Sequence, residues 1–139
     1  VRVAKLRVGV KMVEQIMVPV SFGELFDKLT ILEIKQVHIS DLEKKKNVEQ
    51  ELAFIRSVIH QNSLKLDAEI YSSLKDVNSR LWVVEDALRD CERSKTFDAH
   101  FIELARSVYV LNDERFRVKS KINQVLGSSI REEKSYAPY

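Results

Sequence analysis

Apolar residues recur at steps of four and three along two long stretches of the chain. The first runs Ile70, Leu74, Val77, Leu81, Val84, Leu88, Cys91; the second runs Phe101, Leu104, Val108, Leu111, Arg115, Val118, Ile122, Val125. This spacing keeps one stripe of a helix turned toward a partner, so the two stretches predict a coiled-coil-like pair. The third helix is expected over about 67–95 and the fourth over about 98–126, with Asp98 as N-cap and Gly127 as a left-handed stop. The short link at Ser94–Phe97 predicts antiparallel neighbours, with Cys91 near Phe101, Leu81 near Leu111 and Val77 near Arg115.

Two shorter helices precede them. Ser21 and Glu24 spell a capping box, in which the hydroxyl takes the Glu24 amide and the carboxylate reaches back. Phe22, Leu25, Phe26, Leu29 and Leu32 then give an apolar face, and the first helix is expected over about 22–38. Ser40 and Glu43 repeat the box, and Val48, Leu52, Ile55 and Ile59 mark a second helix to about His60. Lys44–Lys46 ahead of Glu49 and Glu51 read as a solvated face. Trp82, Val83, Ala105, Tyr109 and Phe116 lie off the long seam, where helices one and two are expected to pack. Ahead of Ser21, Ile16, Val18 and Val20 alternate around Pro19, and Val1–Val10 alternates imperfectly with basic residues, the reading of an extended or strand-like segment. Met12 has the look of a normal start, so residues 1–11 read as an addition upstream of it.

Composition agrees with this picture. With 45% hydrophobic and 32% charged residues in 139, the chain is expected to fold as one domain, and three Gly with two Pro favour long helices over a turn-rich sheet. A net charge of +2 argues against a dedicated nucleic-acid binder. The lone Cys91 permits no internal disulfide and reads as a core thiol. No apolar run approaches the ~20 residues of a membrane span, and the basic N-terminus does not read as a signal peptide, so a cytoplasmic protein is the default expectation.

Arg115 is the sharpest chemical feature. A guanidinium in an apolar seam needs carboxylates, carbonyls or a route to solvent. Asp76, Asn78 and Asp113 are its expected partners, and a register-fixing role is the simplest reading, with anion binding as the alternative. Glu24-x-x-Asp27 has a spacing used in helical magnesium pyrophosphohydrolases, but Glu85-Asp86 does not supply the facing pair, so no metal or other cofactor is expected. Glu85 and Arg89 make an ordinary i,i+4 pair. Helical chorismate mutases need several cations on a dicarboxylate, and helix one offers only Lys28 and Lys35. His38, His60 and His100 have no metal-ligand spacing.

Three blocks carry a resemblance. They are PVSFGELFDKLTILEIK (Pro19–Lys35), LWVVEDALRDCER (Leu81–Arg93) with FDAHFIELARSVYVLND (Phe97–Asp113), and KINQVLGSSIREEKSY (Lys121–Tyr136). The chain resembles, over about 16–136, a family of short proteins from bacteria and their phages with no assigned function. The resemblance brings no catalytic residues, but it points to the polar tail Glu132, Glu133, Lys134, Ser135 and Tyr136 as positions to test.

The sequence thus predicts an all-α, hairpin-based antiparallel four-helix bundle over 21–127, with an extended segment at 1–20 and a polar tail at 128–139. The expected function is a binding or assembly module that self-associates or meets another protein, without membrane; nucleic-acid association through the basic N-terminal tail is the weakest of the three options. The alternative is a small-molecule or phosphate-handling enzyme with an interhelical pocket of Glu24, Asp27, Lys28, Glu85, Arg89, Asn112, Asp113 and Arg115. Whether these groups converge is the point on which the two readings part.

Overall fold

A computed structural model describes residues 14–139. The alternating segment Val1–Val10 lies outside them. Four helices follow: α1 (Phe22–His38), α2 (Leu42–Gln61), α3 (Ala68–Ser94) and α4 (Ala99–Leu126). No strand occurs among the described residues. The fold is an all-α four-helix bundle built in layers, with α2 packed on α1 and α1 laid across the antiparallel α3/α4 hairpin.

The helix ends follow local chemistry. Asp98 accepts from the Phe101 amide at 3.1 Å, and Gly127 closes α4 at φ 72°, a conformation glycine adopts without strain. Asp67 caps α3. One expected cap is displaced: α2 begins one residue later, with Asp41 rather than Ser40 accepting from the Lys44 amide at 2.9 Å. Asp and Ser are near-equal N-caps, so the Ser40/Glu43 spacing could not decide between adjacent candidates.

The core joins Phe26, Leu29 and Leu32 of α1, Val48 and Leu52 of α2, Leu74, Val77 and Leu81 of α3, and Leu111 and Ile122 of α4. A polar lock ties three helices at its edge: the Tyr71 hydroxyl donates to Glu33, whose carboxylate also faces Lys75 (3.5 Å) and Arg56 (3.7 Å). His38 at the end of α1 stacks on Trp82 of α3, ring centroids 4.9 Å apart.

The hairpin outruns its cover. Between Trp82 and Val110, Cys91 is the one buried apolar side chain among the described residues. Val83 (64% exposed) and Ile102 (56%) stand in solvent, so the heptad seam continues into a two-helix arm. Of the off-seam residues expected to receive helices one and two, Trp82 meets α1, whereas Val83 and Tyr109 are exposed.

Candidate functional site

The site begins where α1 enters the fold. A Cβ on Gly23 would lie 2.5 Å from the Lys119 carbonyl oxygen, so only glycine lets the first turn of α1 press against α4. That turn carries amides with no partner inside the helix. Other parts of the chain supply them: Ser21 Oγ accepts from Glu24 N (3.1 Å), Asn123 Oδ1 from Gly23 N (2.6 Å) and Ser128 Oγ from Phe22 N (3.2 Å). The Ser21 half of the capping box therefore forms. The Glu24 carboxylate does not return to its own helix; it takes the Lys119 ammonium of α4 at 2.8 Å.

One turn further on, Asp27 is 1% exposed and forms a hub. Its Oδ1 accepts from Arg115 Nε (2.9 Å) and from the Asn78 amide (2.9 Å), and its Oδ2 from Arg115 Nη2 (2.5 Å). Thr30 Oγ1 accepts from the same Asn78 amide while donating to the Asp27 carbonyl, both at 2.9 Å. The forked guanidinium and planar carboxylate match in shape, which favours an Arg–Asp pair here. The bond to Asp27 raises the Arg115 pKa above its usual value, against the opposing pull of burial. The expected partners of Arg115 are thus corrected. Asp76 pairs instead with Arg80 at 3.4 Å, and Asp113 accepts from Tyr139 Oη at 2.8 Å. Asn78 reaches Arg115 only through the shared carboxylate. Predictions confined to the α3/α4 pair could not see that α1 lies over the seam at this point.

Outside the hub lies a polar cavity of about 240 Å³, lined by Glu24, Asn112, Arg115, Phe116, Lys119, Glu132 and Lys134. The Lys119 side chain is 7% exposed, and two carboxylates face its ammonium, Glu24 at 2.8 Å and Glu132 at 2.7 Å. Burial lowers the Lys119 pKa, but the bonds to Glu132 and Glu24 outweigh it and the net shift is upward. Glu132 and Lys134 come from the C-terminal segment, which turns back at Gly127 and runs along α4. Lys134 Nζ sits 5.3 Å from the Phe116 ring centre and 5.9 Å from that of Tyr136, within cation–π range.

A second cavity of about 520 Å³ adjoins the first through Asn112 and Lys134. Val108, Tyr109, Asp113, Tyr136 and Tyr139 complete its lining. The Tyr109 and Tyr139 rings meet edge to face at 5.0 Å. The bond that Tyr139 donates to Asp113 favours the protonated phenol and raises its pKa.

Five of the eight expected pocket residues therefore gather at this end. Glu24, Asn112 and Arg115 line the polar cavity, Asp27 lies directly beneath, and Asp113 lines the adjoining one. The other three do not join them. Lys28 pairs with Glu51 of α2 at 2.6 Å, and Glu85 and Arg89 pair with each other at 3.8 Å on the exposed arm, beside a separate depression with Leu88, Glu92 and Val108. Lys119, Asn123, Ser128 and Tyr139 were not anticipated. A signal for two of them exists in the sequence: Asn112, Arg115, Lys119 and Asn123 step by three, four and four, a polar stripe beside the apolar one. No group of His, Cys, Asp and Glu side chains among the described residues is arranged to hold a metal ion.

A match to a known family covers nearly all of this arrangement. A model described as "Family of unknown function (DUF6165)" matches residues 16–138. The chain belongs to that family. The DUF6165 match takes in all four helices and the folded-back segment as far as residue 138, leaving out Tyr139 of the second cavity. No curated protein and no solved structure matches the chain.

Proposed function

We propose that this DUF6165 chain is a helical binding module that holds a small acidic molecule, a phosphate or carboxylate, in the cleft between α4 and the C-terminal segment. One observation carries the reading: Arg115, Lys119 and Lys134 converge on a single polar cavity contiguous with a larger aromatic one. Donors remain for a ligand. Arg115 commits Nε and Nη2 to Asp27, and its Nη1 makes only a 3.4 Å contact with Asn112. Lys119 has three protons and two carboxylate partners. A polar end beside an apolar end is the usual form of a small-molecule site.

The test is thermal unfolding with inorganic pyrophosphate and with citrate. A molecule that binds only the folded chain raises the melting temperature in a saturable way. The expected result is such a rise, weakened in Lys134→Met, which removes a cation from the extended segment. A melting temperature unmoved by any acidic molecule, or moved equally in the variant, contradicts the reading.

Self-assembly is the second reading, favoured by exposed Val83 and Ile102 on the uncovered arm. Sedimentation velocity decides it. A stable dimer that Val83→Asp with Ile102→Asp dissociates supports assembly, and a wild-type monomer at tens of micromolar overturns it.

No helix among the described residues is long and apolar enough to cross a membrane.

A further inference from the structure

We propose that the acidic ligand is a nucleoside phosphate, with its phosphate taking the place of the Glu132 carboxylate on Lys119 and its base lying in the tyrosine-lined cavity; this rests on the reading of the cleft given above.

The polar end argues the first half. Its cations already face carboxylates: Asp27 holds Arg115, and Glu24 and Glu132 share Lys119. An incoming anion must therefore compete with one of them. Asp27 is fully buried on a helix, and Glu24 is fixed in the first turn of α1. Glu132 differs from both. It lies on a segment with no regular structure, and among the described residues its Oε2 meets Lys119 Nζ, at 2.7 Å, and no other donor. The segment can therefore move this carboxylate away from Lys119 without disturbing a helix, which neither Asp27 nor Glu24 allows. A phosphate offers more acceptor oxygens than the carboxylate, and can meet Lys119, Lys134 and the spare Arg115 donor together.

The adjoining end argues the second half. Tyr109, Tyr136 and Tyr139 line this end, and Tyr136 and Tyr139 are 77% and 79% exposed, so their rings are open to a planar group. Among the described residues Asp113 accepts from Tyr139 alone, leaving lone pairs for ring N–H donors, and the Asn112 amide at the junction both donates and accepts. Flat aromatic walls with a carboxylate and an amide at one edge suit a nucleobase. A sugar phosphate shares the anionic chemistry but leaves the flat walls unused.

Calorimetric titration of the full chain with ADP, GDP, UDP, glucose 1-phosphate and pyrophosphate tests both halves. The expected result has four parts. At least one nucleoside diphosphate binds at least tenfold more tightly than pyrophosphate. Tyr136→Leu removes that advantage and leaves pyrophosphate binding intact. Glu132→Gln tightens binding of both ligands, and Lys134→Met weakens both. Tyr136, Glu132 and Lys134 lie on the extended segment, so unliganded melting temperatures serve as the folding control. Three results overturn the proposal while the acidic-ligand reading stands: equal binding of pyrophosphate and nucleotides, preference for glucose 1-phosphate, or weaker nucleotide binding in Glu132→Gln. Failure of every anion to bind overturns the underlying reading itself.

Discussion

The two ends of the α3/α4 hairpin share one heptad pattern and meet different fates. At the base, Leu74, Val77 and Ile122 are 0% exposed because α1 lies over them. On the arm, the seam residues Val84, Leu88, Leu104 and Val108 are only half-buried, because the third helix that seals the base does not cover them. The base also takes polar groups inside: Asp27, Thr30, Asn78, Lys119 and Asn123 are all buried, each with a partner. A heptad stripe thus reports that two helices pair. Whether the pair is buried, and whether chemistry collects there, depends on a third helix.

Asp27→Asn is expected to break this contrast hardest. It leaves the Arg115 guanidinium without its buried counter-charge, a change that costs about 3–5 kcal/mol. Chemical denaturation reads the loss, and a cost below about 1 kcal/mol would show that the pair carries little of the base's stability.

Leu74→Ala and Leu88→Ala compare the two ends directly. Truncating a fully buried leucine costs about 2–5 kcal/mol, whereas the half-buried arm position is expected to lose less than half as much. Equal losses in the same denaturation experiment would mean that the arm is covered in solution, as the assembly reading requires. Gly23→Ala is next in size, at about 1–3 kcal/mol, because its Cβ meets backbone that must move. A neutral outcome in thermal unfolding would show that α1 can lift from α4.

The smallest expected effect is at alkaline pH. Lysine ordinarily loses its proton near 10.5, and folding raises that value for Lys119. Its contribution to stability is therefore present in full below pH 10.5 and is lost as the pH rises through the higher folded value. Stability measured from pH 9 upward should fall less steeply in Lys119→Met than in the wild type. Parallel curves would place the alkaline loss elsewhere.

These contrasts also mark how far the sequence could be read. The four helices, the antiparallel hairpin and the caps at Ser21, Asp98 and Gly127 are local, set by periodicity and by residues three or four positions apart. Arg115 could be picked out because a charge in an apolar seam demands a partner. Its partner could not, since Asp27 lies 88 residues away and reaches it only through the crossing angle of α1. Glu24 illustrates the same limit: the capping box explained the carboxylate locally, and Lys119 competes for it more strongly. Glu85 and Arg89 had the right residue types but sit on the arm beyond the reach of α1. The tail residues were conspicuous as polar groups with no helix to serve, but only the fold shows that they close a cleft.

The most direct test of the acidic-ligand cleft is a two-dimensional NMR titration of the assigned, full-length chain with pyrophosphate. The account predicts saturable shifts at Asn112, Arg115, Lys119, Glu132 and Lys134, with Val83, Glu85, Arg89 and Ile102 on the arm unmoved. Shifts centred on the arm, or an unchanged spectrum at millimolar pyrophosphate, would contradict it.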